Sequence, residues 1–138
     1  MAEKFSLADH TVKAKIVKVY DGDSITAEFP LPHTHFKLVS PDYRWTCRVV
    51  GIDTPELRSK DSRVRQHAYR ARDRVRELIM DKKVDMELGG FDKYGRVLVS
   101  VQEPEGRDLA DLLIQEGLAL SYSGGKKADW SKHLPPEE

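Results

Sequence analysis

Residues Lys13 to Tyr20 (KAKIVKVY) alternate polar and apolar side chains with a period of two and run directly into Asp21-Gly22-Asp23. Alternation at that period argues for a strand lying on an apolar core, with Ala14, Ile16 and then Lys18 on one face and Val17 or Val19 on the other. Aspartate and glycine favour turns, so the chain should reverse at Asp21-Gly22-Asp23 and return as a second strand over Ser24 to Phe29. Tyr43 to Ile52, rich in β-branched and aromatic residues, predicts a third strand that ends at Asp53-Thr54-Pro55-Glu56.

Between the second and third strands, Pro30, Pro32 and Pro41 punctuate a long connection. Proline lacks the amide proton a sheet ladder needs, so Pro30 to Asp42 is expected to be an exposed loop, with a short edge strand around His35 to Val39 and with His33 and His35 on the surface. From about Ser62 the period changes. Val64, Ala68, Ala71, Val75, Leu78 and Ile79 recur at spacings of three and four, which predicts a helix with one apolar stripe. Val84 to Leu88 alternates again, Gly89 to Gly95 has the glycine density of a turn, and Val97 to Gln102 reads as a further strand. Asp108 to Glu116 predicts a second helix, with Leu109, Leu112 and Leu113 on one face and Gly117 as its stop.

Short consecutive strands joined by turns, with helices after the third strand and near the end, predict a mainly β fold: a five-stranded OB-type barrel with two to three helices. A chain of 138 residues is long enough for one modest core. The expected organisation is an N-terminal extension over 1–11, one domain over 12–130 and a flexible C-terminal tail over 131–138, whose last residues Pro135-Pro136-Glu137-Glu138 should fray.

Composition sets limits on function. No stretch approaches the roughly 20 apolar residues of a membrane span, and the first ten residues lack an apolar run of signal-peptide length. A cytoplasmic or otherwise intracellular location is the expectation, with secretion open if a leader has been removed. Cys47 is the only cysteine, so no internal disulfide can form, and its strand-like surroundings predict a small core residue. Lysine plus arginine and aspartate plus glutamate both total 23, so any basic surface must be local. Arg58, Lys60, Arg63, Arg65, Arg70, Arg72, Arg74 and Arg76 crowd one segment against Asp61 and Asp73; this is either a solvated helix face or a phosphate-binding one.

Three acids stand where rigid elements end: Asp23 at the exit of the hairpin turn, and Asp53 and Glu56 three apart at the end of the third strand. Hard oxygen ligands without cysteine or paired histidine select calcium or magnesium over zinc or copper. An Asp-Gly-Asp turn also has a plain conformational explanation, and on the residues alone both readings stand.

The string Asp21-Gly22-Asp23-Ser24, then Arg48-Val49-Val50-Gly51-Ile52-Asp53-Thr54-Pro55-Glu56, then Asp92-Lys93-Tyr94-Gly95-Arg96, resembles the staphylococcal nuclease family. The likeness covers about Val12 to Trp130 and includes Gly117-Leu118-Ala119, Tyr122 and Gly124-Gly125-Lys126-Lys127. It implies a calcium-dependent endonuclease that hydrolyses phosphodiester bonds of DNA and RNA with low sequence specificity and leaves 3′-phosphate products. Asp23 and Asp53 match the family's calcium-binding aspartates, with the backbone carbonyl of Thr54 as a further ligand. Glu56 matches the general base. Arg48 and Arg96 match the arginines that grip the scissile phosphate, a role suited to the two-pronged guanidinium. Lys93, Tyr94 and Tyr122 match positions that meet phosphate or bases, and Asp21 resembles a further acid beside the metal ligands.

Two departures flank the implied substrate groove: the stretch from Asp23 to Arg48 is longer by about ten residues than in the staphylococcal prototype, and the loop after Glu56 is shorter and more basic. The alternatives are a non-catalytic nucleic-acid or protein-binding module on the same barrel, and an OB-fold single-strand binder, for which only Tyr43 and Trp45 supply a hint. DNA and RNA substrates, no membrane and a monomer are expected.

Overall fold

The structure, a computed structural model, describes residues 7–32 and 41–134. Strands β1 (His10–Asp21), β2 (Ser24–Pro30), β3 (Asp42–Val49), β5 (Lys83–Phe91) and β6 (Val97–Gln102) close into a barrel in the order β1-β2-β3-β6-β5. All pairings are antiparallel except β3 with β6, which run parallel through Cys47↔Val97, Arg48↔Leu98 and Val49↔Val99. Strands β4 (Ile52–Asp53) and β7 (Leu120–Ser121) form a separate two-stranded ribbon. Helix α1 (Ser62–Ile79) packs against β1, α2 (Leu109–Gln115) packs against β6, and a 3₁₀ turn covers Trp130–Lys132. The chain is thus the mainly β, five-stranded barrel with two helices that its periodicities predict. No helix among the described residues is long and apolar enough to cross a membrane.

The local reasons are largely those in the sequence. Asp61 caps α1 by accepting from the Arg63 amide, and the buried residues of that helix are Val64, Ala68, Ala71, Val75, Leu78 and Ile79. Asp108 caps α2, and Gly117 follows that helix at φ 75°, the left-handed conformation that favours glycine. Cys47 is fully buried, and burial pushes its thiol up to about 12.

Three expectations need correction. Val19 faces the core with Ala14 and Ile16, not the opposite side, because Ile16 pairs with Ala27 while Lys18 pairs with Thr26: the extra residue, Val17, is a β-bulge that resets the alternation. Tyr43 to Ile52 is not one strand, since β3 stops at Val49 and Gly51 turns the chain at φ 85° before β4. Gly89 and Gly90 belong to β5 and the turn begins only at Asp92; a Cβ on Gly89 would lie 3.2 Å from the Leu98 carbonyl oxygen, so the glycine permits close packing on β6. β1 begins at His10, with Leu7 already in the core. Pro30 pairs with Asp42 and closes the base of the long connection, while His33, His35 and the edge strand expected over His35 to Val39 lie outside the described residues.

Candidate active site

The β1–β2 turn, the end of β3 and strand β4 bring Asp23, Arg48, Asp53 and Thr54 into one place, and all four are buried. Residue Ser24 pairs with Arg48 across β2 and β3, and the Val49 amide donates to the Asp23 carbonyl at 2.9 Å, so the turn is clamped onto the end of β3. Gly22 makes this approach possible. A Cβ there would stand 2.7 Å from Thr54 Cγ2, closer than real Cβ contacts come, and a tight 3.2 Å from Ala71 Cβ.

Burying four polar side chains requires partners, and the partners are uneven. Arg48 donates through Nη1 to the Val49 carbonyl (2.7 Å) and through Nη2 to the Ile52 carbonyl (3.0 Å). Asp23 accepts the Ser24 hydroxyl on Oδ1 at 3.3 Å. Its Oδ2 is 3.3 Å from Arg48 Nη1, an ion-pair distance, yet no donor is aligned to hydrogen-bond it. Asp53 shows the same asymmetry: Oδ2 accepts the Ala128 amide at 3.1 Å, whereas buried Oδ1 has no hydrogen bond and only Lys127 Nζ at 3.9 Å. Two buried carboxylate oxygens on neighbouring acids therefore lack a donor, and hard oxygens in this state suit a hard cation.

The electrostatics agree. Burial raises the Asp53 carboxyl above its ordinary pKa and Asp23 adds to this, while the Ala128 amide and the charges of Lys127 and Arg48 oppose. Burial, and after it the charge of Asp23, pushes Asp21 up to about 7; Asp21 also accepts the Asp23 amide at 3.1 Å. Among the described residues no three His, Cys, Asp or Glu side chains cluster as ligands.

Glu56 is exposed on the rim. It lines a cleft of about 380 Å³ together with Asp53, Thr54, Ser59, Lys60 and Lys127. Arg48 opens on the other side to a cavity of about 310 Å³ shared with Val50, Leu98 and Tyr122, and the Tyr122 ring lies 5.8 Å from its guanidinium carbon. Tyr122 is not a core residue: its hydroxyl donates to the Gly125 carbonyl at 2.6 Å.

Lys93, Tyr94 and Arg96 stand apart from both clefts, on the β5–β6 turn. Arg96 immediately precedes β6, whose Leu98 pairs with Arg48 of β3. Asp92 organises the turn by accepting the Tyr94 amide (2.8 Å), the Arg96 amide (2.9 Å) and Arg96 Nε (2.7 Å). Burial works against ionisation of Asp92, but these amides and the guanidinium together hold its carboxyl below the usual range. Exposed Tyr94 lies between two cations, Lys93 at 5.2 Å and Arg96 at 5.5 Å.

Most of the basic run is structural. Arg63 pairs with Asp61, Arg72 and Arg76 with Asp73, Arg74 with Glu77 and Glu116, and Arg65 donates to the Ser59 carbonyl. Sequence reasoning missed the contacts of Lys127 and Ala128 with Asp53 and the organising role of Asp92. An aspartate opening a turn before Lys-Tyr-Gly-Arg was a legible signal for the second; the first had none.

The sequence profile described as staphylococcal nuclease homologue matches residues 46–135, a span that contains Arg48, Asp53, Thr54, Glu56, Lys93, Tyr94, Arg96 and Tyr122. Three curated relatives are similar. Endonuclease YncB of Bacillus subtilis (strain 168) is 30% identical over 111 residues, 78% of this chain and 47% of that protein. The SPbeta prophage-derived endonuclease YokF of the same organism is 36% identical over 77 residues, 54% of this chain and 26% of that protein. An uncharacterized endonuclease of Escherichia coli is 25% identical over 111 residues, 80% of this chain and 61% of that protein. The chain spans about half the length of the first of these relatives and about a quarter of the second.

Proposed function

The chain belongs to the staphylococcal nuclease homologue family, and from that premise we propose that it is a calcium-dependent endonuclease hydrolysing phosphodiester bonds of DNA and RNA with low sequence specificity. The observation that carries this reading is the pair of donorless buried oxygens, Asp23 Oδ2 and Asp53 Oδ1, set beside the buried guanidinium of Arg48. A donor set of two carboxylates and the Thr54 carbonyl is all oxygen and leaves room for water and phosphate, which fits a hard cation rather than zinc, and calcium is the hard cation that the family resemblance implies. Bound there, calcium supplies positive charge against the non-bridging oxygens of the scissile phosphate.

The chain's own residues do the rest. Glu56, on the rim of the cleft lined by Asp53 and Thr54, takes the proton of the attacking water. Arg48 is held in place by two carbonyls and presents its remaining N–H groups to the phosphate as charge builds there. Arg96 is engaged by Asp92 through Nε, which leaves its terminal nitrogens for the same phosphate. Tyr122, against Arg48, and Tyr94, between Lys93 and Arg96, offer ring faces on which bases stack without sequence preference.

The test is incubation with single-stranded DNA, duplex DNA and RNA, in calcium or in chelator, followed by analysis of product ends. Cleavage that leaves 3′-phosphates only with calcium is the expected result. Binding without cleavage in calcium would make the chain a binding module on this barrel.

A further inference from the structure

The C-terminal segment runs against Asp53 through Lys127 and Ala128, and no step of the proposed hydrolysis uses these two residues. Its backbone is fixed from both sides. Upstream, the Gly125 carbonyl accepts the Tyr122 hydroxyl; downstream, Trp130 is buried, with its ring 5.6 Å from that of His67 on α1, and Asp129 caps the 3₁₀ turn. Between these anchors the Ala128 amide donates to Asp53 Oδ2, and Lys127 Nζ stands 3.9 Å from Oδ1, which accepts no hydrogen bond among the described residues.

The two acids of the site thus have unequal counter-ions. Arg48, beside Asp23, is buried and tied to two carbonyls, so it cannot leave without breaking those bonds. Lys127, beside Asp53, is half exposed on a flexible four-carbon stem and makes an ion pair without a hydrogen bond. Of these two cations Lys127 is the one that can move aside when a cation binds at Asp53.

We propose that Lys127 is the exchangeable counter-ion of Asp53: it neutralises that carboxylate in the metal-free protein, gives way to the divalent cation, and then offers its ammonium to substrate phosphate. This rests on the calcium reading above. The cleft that Lys127 lines also holds Lys60, Ser59 and Ser131 beside the carboxylates of Glu56, Asp61 and Asp129, so the phosphate-facing part of this role falls to the two lysines and the serines alone. Two consequences oppose each other. Removing Lys127 tightens calcium binding in the free protein, because nothing has to be displaced. It also weakens the mutual enhancement of calcium and nucleic acid, a coupling that must be equal in both directions.

The experiment is calorimetric titration of calcium into the protein, its Lys127→Met and Lys127→Arg variants, and a Lys126→Met control for the loss of one nearby charge. A half-exposed pair of this kind predicts calcium affinity about two- to fivefold tighter in Lys127→Met, with Lys127→Arg and Lys126→Met near the parent. Repeating the titrations in a Glu56→Gln background with a single-stranded DNA hexamer present should show a smaller gain in calcium affinity for Lys127→Met than for the parent. Reductive methylation read by mass spectrometry provides a signal that charge loss alone does not move: Lys127 should react faster in calcium than in chelator, and Lys126 at one rate in both. Calcium binding indifferent to Lys127, or a shift reproduced by Lys126→Met, overturns the counter-ion assignment while leaving the calcium reading intact. No calcium binding in any of the proteins overturns both.

Discussion

Arg48 Nη1 lies 3.3 Å from Asp23 Oδ2, and both side chains are more than nine-tenths buried. The same guanidinium bonds the carbonyls of Val49 and Ile52, so one side chain joins the hairpin turn, the end of β3 and the start of β4. A buried pair adds little stability over an apolar one, but breaking it strands a charge.

Arg48→Ala is therefore expected to cost about 3 to 5 kcal/mol in metal-free stability, the usual penalty for removing one partner of a buried pair. Urea unfolding in chelator measures it. Arg96 is different, because its pair with Asp92 is partly exposed and on a turn. Lysine keeps the charge at either position but loses the two-pronged donation, so Arg48→Lys and Arg96→Lys should each lower turnover on the order of a hundredfold, the cost of one preorganised donor. Only Arg48→Lys should also lower the unfolding midpoint. Parental turnover in both variants would make these arginines plain structural charges.

Asp53→Asn keeps an acceptor for the Ala128 amide while removing a buried charge whose Oδ1 no donor satisfies. Metal-free stability should stay level or rise, because burial opposes the charged form. Calcium binding should weaken by at least about tenfold, since a carboxylate ligand is replaced by a neutral amide. Thermal melts in chelator and calcium titration check the two halves separately. A variant that unfolds in chelator would show that Asp53 holds the fold through its charge.

The helices were legible because their signals are local: a 3.6-residue stripe, an aspartate cap and a glycine stop sit within each segment. The placement of Val19 was not, because one extra residue in β1 against β2 cannot be seen in the alternation of β1 alone. The end of β3 was hidden by apolar residues that continue through Val49 and Val50 to Ile52, so only the positive φ of Gly51 reveals the break. Residue types and positions at element ends singled out Asp23 and Asp53, and the family resemblance alone added Arg48, but their burial and the missing donors depend on barrel closure. The bond from Ala128 to Asp53 spans 75 residues, beyond any local pattern.

Glu103 provides a pH test away from the site. The Arg107 side chain, with the amides of Glu105 and Arg107, pulls its carboxyl from the ordinary 4.5 down to about 2. A folded pKa below the unfolded one means that the ionised group stabilises the fold above pH 4.5 and that this contribution disappears as pH falls toward 2. Glu103→Gln should therefore have a lower urea midpoint than the parent at neutral pH, with the gap narrowing through that acid window. A gap constant down to the lowest pH would mean that packing, not charge, is what the glutamate contributes.

Gly22 links the β1–β2 turn to the rest of the molecule by steric exclusion. Its φ is not in the left-handed region, so a substitution there is decided by space alone. An alanine Cβ would meet Thr54 Cγ2 at 2.7 Å, Thr54 Cβ at 3.0 Å and Ala71 Cβ at 3.2 Å, and none of these atoms ends a flexible side chain. Either the turn moves off Thr54, carrying Asp21 and Asp23 with it, or β4 and α1 shift to make room. Overpacking of this kind costs about 1 to 3 kcal/mol, and a displaced Asp23 would bind calcium more weakly. Thr54→Ser removes the Cγ2 atom responsible for the shortest contact, while the carbonyl proposed as a ligand stays in the backbone. Gly22→Ala with Thr54→Ser should therefore recover part of both the stability and the calcium affinity lost in Gly22→Ala alone. Recovery is incomplete because Thr54 Cβ and Ala71 Cβ remain. Denaturation and calcium titration of the two single variants and the double variant form a cycle, and strictly additive effects would show that the contact between Gly22 and Thr54 does not set the position of the turn.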